Sequence, residues 1–291
     1  MDHPPAGPPT SDLDHVRPAT AAERADVAAM HRANRAAWDE AAERYNRWLP
    51  EAIELISSGG TNLFPIEIEL IGDLTGRCRR AIHLQCAGGR DTLSLWTLGA
   101  DAVVGVDFSP RMLELAERLS TAVGAPARWV LADVLETPHE LDGTADLLYT
   151  GRGSLAWLQD LDAWARVLAR LLAPTGRLVL FEGHPVEWLF DVDADGRWFA
   201  TDYDYFAGPE ASRGWAPEYI DRLSIAEADQ SWKFARAWTL GEIVTAIARA
   251  GLRIEAFAEH PVDWWGGHAD ARPGERGRIP LSFSIVARLP G

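Results

Sequence analysis

Between residues 81 and 182 the chain alternates short apolar runs with stretches of helical period. AIHLQC (81–86), AVVGVDF (102–108), ARWVLADV (127–134), ADLLYT (145–150) and RLVLFE (177–182) read as strands. Helical patterns over 92–98, 110–123 and 161–172 fall between them. Strands this uniformly apolar need cover on both faces, which crossover helices of a parallel sheet supply. Ser109 followed by Pro110 is an N-cap with proline at the first helical position. A later helix over 240–250 and apolar runs at 252–259 and 280–289 supply two more strands. The expected fold is α/β, a doubly wound, mostly parallel seven-stranded sheet of Rossmann-like type.

The flanks depart from this rhythm. Met30, Asn34, Trp38, Ala41, Tyr45 and Trp48 recur at steps of three or four, so residues 20–49 predict a helix with one aromatic face. Pro50 is expected to end or kink it, with helical stretches at 51–56 and within 63–76 beyond. Residues 184–237 carry many aromatics, Trp188 and Tyr203 among them, between acidic and turn residues. The expected organisation is a disordered tail (1–19), an N-terminal helical lid (20–80), a cofactor-binding core (81–183), a substrate-cap insertion (184–237) and a C-terminal helix and strand pair (238–291).

Composition excludes several functions. The formal net charge of −15 repels phosphate backbones, so nucleic acid is a poor partner. Lys233 is the only lysine, which argues against Schiff-base, P-loop or Tyr/Lys chemistry. Two cysteines make no disulfide framework. No apolar run has membrane-spanning length, and the first residues have neither the basic nor the apolar region of a secretory signal, so a cytoplasmic location is expected. Thirteen tryptophans invite an aromatic pocket.

Ligands of open α/β sheets sit at the carboxyl ends of the strands. The first strand ends in Gln85-Cys86-Ala87-Gly88-Gly89, where small residues let the backbone approach a ligand. The second ends in Asp107, 18 residues after Gly89, where a carboxylate suits a ribose diol. The third ends in Asp133-Val134, suited to an exocyclic amine, and the fourth in Thr150. A dinucleotide needs a full G-x-G-x-x-G, whose third glycine is missing, and Asp91 would stand beside its phosphates. A cationic, phosphate-free nucleoside such as S-adenosyl-L-methionine tolerates that acid.

AIHLQCAGGRDTL, VVGVDFSPRMLELAERL, WVLADV, ADLLYTGRGSLAWL and LLAPTGRLVLFEGHP resemble, in order and spacing, the class I S-adenosylmethionine-dependent methyltransferases. The resemblance covers about two-thirds of the chain, and it implies a sheet closed by a reversed last strand. It also implies roles. Gly88 and Gly89 would pass beneath the methionine part of the cofactor. Asp107 would hold the ribose, and Phe108 and Met112 would pack near the adenine. Asp133 and the Val134 amide would read the adenine edge, and the Thr150 carbonyl would face the cofactor's amine. The helix bearing Trp38 and Tyr45 would close over the cofactor as a lid. His83 stands where the family has an acid, and Gln85 and Ala87 replace glycines.

Methyl transfer needs alignment and dryness more than acid–base help. If a base is used, His184, directly after the fifth strand, is the candidate, with Glu182 as its partner or as a substrate contact. Trp157, Trp188, Tyr203, His260, Trp264 and Trp265 are candidate acceptor-pocket residues, with Glu259 beside them. Histidines 184, 260 and 268 show no spacing that demands a metal. The expected activity is methyl transfer to an O or N atom of a small aromatic or apolar metabolite, as in natural-product tailoring. The alternatives are a non-catalytic cofactor- or partner-binding protein that keeps the fold, and an NAD-dependent dehydrogenase.

Overall fold

The computed structural model describes residues 16–291 apart from 217, 218, 221, 222, 262, 264, 265, 267 and 269. Residues 1–15 of the expected tail, and Trp264 and Trp265, lie outside the described residues. In chain order the strands are β1 (Val16–Pro18), β2 (Ala81–Leu84), β3 (Val103–Asp107), β4 (Ala127–Leu131), β5 (Ala145–Gly151), β6 (Leu172–Gly183), β7 (Phe190–Val192), β8 (Trp198–Ala200), β9 (Glu210–Ser212), β10 (Lys233–Ala235), β11 (Arg253–His260) and β12 (Ser282–Arg288). The helices are α1 (Ala21–Arg24), α2 (Val27–Ser57), α3 (Pro65–Ile71), α4 (Arg90–Thr97), α5 (Pro110–Val123), α6 (Leu161–Leu171) and α7 (Leu240–Arg249).

The main sheet has seven strands in the order β11-β12-β6-β5-β2-β3-β4. β4, β3, β2, β5 and β6 are parallel, and β12 runs antiparallel between β6 and β11. That is the expected seven-stranded, doubly wound sheet with its last strand reversed. The chain leaves the central β2 towards β3 and β4, then returns to β5 on β2's other side. A crevice at the carboxyl end of β2 follows from that reversal.

Side chains alternate between two cores, as the period of a strand requires. Ile82, Leu84, Val104, Val106, Leu148, Leu178 and Leu180 join Trp164, Leu168, Ile243 and Ile247 from α6 and α7. Ala81, Val103, Leu147, Tyr149 and Val179 face α2, α4 and α5 with Leu93, Met112 and Leu119. The α5 start is as read from sequence: Ser109 Oγ accepts the Met112 amide at 3.1 Å and Pro110 follows the cap.

Three expectations are corrected. The chain does not break at Pro50: α2 runs through it, because buried Leu49, Ala52 and Ile56 hold the helix on both sides of the one missing amide donor. The fifth strand, expected over 177–182, runs from Leu172 to Gly183 as β6, which shifts register against β5 between Ala145 and Leu147. The end of the expected tail is ordered, since β1 pairs with β9, which also pairs with β10, so the N-terminal segment and the insertion share a small sheet.

Trp164 is fully buried on α6, and its indole N–H has no partner. Trp164→Ala is expected to destabilise the protein by about 3–5 kcal/mol. Trp164→Phe should cost clearly less, because it removes an unpaired buried donor along with the volume. Urea unfolding of both variants checks the order.

Candidate functional site

The crevice at the sheet switch point is a cavity of about 310 Å³. Gln85, Cys86, Ala87, Gly88 and Gly89 form one wall, Asp107 and Phe108 a second, and Asp133 and Val134 a third. Trp38, Tyr45 and Trp48 of α2 close it from above, and Trp157 and Tyr219 line its far side. Of the residues expected at the cofactor, Met112 and Thr150 do not reach it. Met112 lies wholly in the core, and Thr150, whose carbonyl was expected to face the cofactor's amine, is fully buried within β5. The cavity meets the next residues, Gly151, Arg152 and Gly153, instead.

The loop after β2 has the backbone that glycines favour, although glycines are missing from two of its positions. Gln85 (φ 57°) and Ala87 (φ 44°) are both left-handed, as is Gly89 (φ 79°). Such conformations cost most residues about 1–2 kcal/mol, and strain of this kind clusters at functional sites. A Cβ on Gly89 would come within 2.5 Å of the Trp129 ring, and one on Gly88 would lie 3.2 Å from the Tyr45 ring. Gln85 Nε2 donates to the Ser154 carbonyl at 2.9 Å, while its Oε1 is buried without a partner. Turning the amide over would set oxygen against oxygen, so Ser154 fixes Oε1 as the free acceptor.

Asp107 accepts the Ala87 amide on Oδ2 and the Ser109 amide on Oδ1, each at 2.8 Å. Burial pushes its carboxyl up to about 6, against the pull of those two amides. Asp133 accepts the Leu135 amide at 2.9 Å and lies 2.6 Å from His31 Nδ1. Burial raises it, but the His31 hydrogen bond and the amide outweigh burial and leave it below the usual carboxylate range. His31 Nε2 accepts the Gln159 amide at 3.2 Å, which assigns the ring proton to Nδ1 and makes His31 the donor to Asp133.

His83 is buried in the inner wall of the cavity. Its Nδ1 lies 2.8 Å from Thr92 Oγ1, and burial depresses it to about 4, so it is neutral near pH 7. The charges sit one layer higher. Asp91 Oδ1 accepts from Arg152 Nη1 at 2.9 Å and Asn62 Nδ2 at 2.5 Å. Arg152 stacks on Phe64 with its guanidinium carbon 4.6 Å from the ring centre, and it holds a left-handed φ of 59°. Behind it, Tyr149 donates to Glu67, whose burial raises it to about 7 against the opposing effect of Arg152.

The residues expected to do acid–base work are spent elsewhere. His184 Nε2 lies 2.8 Å from Glu259 Oε1, and its Nδ1 accepts the Val186 amide at 3.1 Å. It is buried and does not line the cavity. Glu182 accepts the amides of Gly153, Leu155 and Gly183 and the Ser154 hydroxyl, which orders the loop after β5. Neither lines the cavity: Glu182 is committed mainly to the loop after β5 and His184 to the segment after β6 and to Glu259. Trp188 pairs with Tyr203, ring centres 5.2 Å apart, away from the cavity. His260 Nε2 lies 2.9 Å from Ser284 Oγ, and its ring stacks on Phe181. Trp157 alone of the described acceptor-pocket candidates faces the cavity. It joins Trp38, Trp215 and Tyr219 in one cluster of edge-to-face and tilted ring contacts with centres 5.1–6.0 Å apart.

Asp91, expected beside the bound ligand, lines the cavity, and His31, Asn62, Arg152 and Tyr219 line it without having been singled out as contacts from sequence. His31 carried a signal, since it falls on the same α2 face as Asn34 and Trp38. Asn34, fully buried, accepts the Phe234 amide at 2.6 Å and donates to the Phe234 and Trp157 carbonyls.

Residues 81–176 match a family described as a methyltransferase domain. A demethylmenaquinone methyltransferase from Thermus thermophilus is 40% identical over 83 residues, which are 28% of this chain and 37% of that protein. The chain thus matches little more than a third of that curated relative. An S-adenosylmethionine-dependent methyltransferase from Mesorhizobium loti superposes with a TM-score of 0.54 at 23% identity, over 77% of this chain and 96% of the other. One from Clostridium acetobutylicum gives 0.55 at 15% identity, over 85% and 99%.

If the left-handed backbone at Ala87 is strained, Ala87→Gly should stabilise the protein by about 0.5–1 kcal/mol, although glycine ordinarily loosens a chain. Chemical unfolding measures this. A loss of stability would show that the loop carries no strain there.

Proposed function

We propose, on the premise that residues 81–176 belong to the methyltransferase-domain family, that the protein transfers a methyl group from S-adenosyl-L-methionine to an O or N atom of a small, flat, largely apolar acceptor. The observation that carries this reading is the sharing of one cavity by three strand tips: the Gln85–Gly89 loop, the Asp107 carboxylate and the Asp133 carboxylate. The residues present fit such a nucleoside. A carboxylate has about four acceptor sites; Asp107 and Asp133 each spend two on protein donors and keep capacity for ribose hydroxyls and an exocyclic amine. Gly88 and Gly89 both line the cavity, and a side chain on Gly88 would crowd Tyr45 in its wall. Gln85 Oε1 is an oriented acceptor lacking a donor. When bound, the cofactor supplies an electrophilic methyl group on a sulfonium.

The chain's own residues then hold, orient and exclude water. Asp107 grips the sugar and, through the Ala87 amide, the loop beneath it. His31 keeps Asp133 ionised and aimed. The α2 aromatics roof the cavity, and Trp38, Trp157 and Tyr219 offer ring faces and edges to a flat acceptor. The Tyr45 and Tyr219 hydroxyls bond each other, and burial raises both, so they serve as neutral hydrogen-bonding groups rather than as bases. Glu182 and His184 fit a structural role in ordering the loops after β5 and β6 respectively. An acceptor that sheds its proton readily, or an already neutral amine, suits such a site. A dehydrogenase is disfavoured because a pyrophosphate would meet the Asp91 carboxylate. The non-catalytic alternative leaned on the replaced glycines, yet Gln85 and Ala87 both hold the left-handed backbone that such a loop uses. Among the described residues no helix is long and apolar enough to cross a membrane.

Calorimetry with S-adenosylmethionine, S-adenosylhomocysteine and NAD tests the reading, and binding of NAD alone would overturn it. Asp107→Ala should weaken S-adenosylhomocysteine by at least about tenfold, the scale of lost hydrogen bonds to a charged group. The pH dependence has a definite sign. The ribose needs an ionised acceptor, and the buried carboxyl of Asp107 takes up its proton near 6. Affinity should therefore be level above that pH and fall by up to about tenfold per unit below it, and Asp107→Asn should remove the dependence.

A further inference from the structure

His83 leaves the floor of the cavity without the acid expected there, while a buried ion pair stands nearby on other elements. Asp91 comes from the first turn of α4 and Arg152 from the loop after β5. Both line the cavity, with side chains 21% and 15% exposed. Three features set this pair apart from a simple latch. Both hydrogen bonds recorded to Asp91 end on Oδ1, which leaves Oδ2 as the oxygen for another donor. Arg152 reaches its place only through a left-handed backbone, and it is steadied by Phe64 on one face and by the Asn62 carbonyl at 3.0 Å. Gln85 lines the same cavity, and its Oε1, fixed by Ser154, is buried beneath that wall without a donor. Buried ion pairs seldom repay their desolvation in stability alone, and here strain is added to that cost.

We propose that Asp91, Arg152 and Gln85 form a clasp for an α-amino-acid zwitterion, Arg152 taking the carboxylate and Asp91 with Gln85 Oε1 taking the ammonium. The clasp rests on the reading of this cavity as a site for S-adenosylmethionine, whose methionine half ends in such a zwitterion. Opposite charges on the protein match opposite charges on the ligand, so the site gains two charge-assisted contacts without a net change in buried charge. The acid absent from β2 is replaced by one from α4, and His83, neutral and bonded to Thr92, fills the vacated position as packing.

The test compares two ligands that share the nucleoside and differ in the amino-acid half: S-adenosylhomocysteine and 5′-methylthioadenosine. By calorimetry, the wild-type protein should bind S-adenosylhomocysteine at least about tenfold more tightly, the scale of charge-assisted hydrogen bonds. Asp91→Asn should lower that affinity by about tenfold or more and leave 5′-methylthioadenosine within about twofold, which also reports that the variant is folded. Equal loss of both ligands in a folded Asp91→Asn protein, or loss of neither, overturns the clasp. Should Asp91→Asn fail to fold, Gln85→Leu decides: selective loss of S-adenosylhomocysteine supports the clasp, and any other pattern overturns it. If the wild-type protein binds neither ligand, the cofactor reading itself has failed, an outcome distinct from the failure of the clasp.

Discussion

Asp107 takes the Ala87 amide on one carboxylate oxygen and the Ser109 amide on the other. The first amide belongs to the loop that leaves the central strand, the second to the cap of α5. One side chain thus fixes the spacing of two neighbouring strand tips. It stays at a cost, since burial pushes its carboxyl up to about 6. A group held there with spare acceptor capacity is better explained by a ligand with hydroxyls to donate than by fold stability alone.

The rest of the site is arranged around that fixed edge. The positive φ values of Gln85, Ala87 and Arg152 all fall on cavity-lining residues. α2 is held down over the cavity by polar side chains rather than by apolar packing alone. His31 links it to Asp133 and Gln159, and Asn34 links it to β10 and to the carbonyl of Trp157. Movement of α2 would therefore disturb the third strand tip and the Trp157 wall together, which couples access to the cavity with its shape.

Much of this was legible in the sequence because it depends on local pattern. Apolar runs and the Ser109-Pro110 cap mark strands and helix starts within a few residues, and the order of small and acidic residues at the strand ends locates the loop, Asp107 and Asp133. What was not legible depends on distant partners. Nothing local says that Glu182 will be consumed by the Gly153, Leu155 and Gly183 amides, or that His184 will meet Glu259 from β11. Asp91 and Arg152 lie 61 positions apart, and only the sheet order brings them together. Pro50 misled for a related reason: a helix packed on both sides of a proline loses one hydrogen bond and keeps its burial.

The most direct test of the central claim is a crystal structure grown with S-adenosylhomocysteine. The account predicts the nucleoside across the tips of β2, β3 and β4, its ribose hydroxyls within hydrogen-bonding distance of Asp107 and its adenine edge against Asp133 and Val134. A ligand bound elsewhere, with Asp107 still holding only the amides of Ala87 and Ser109, would contradict it.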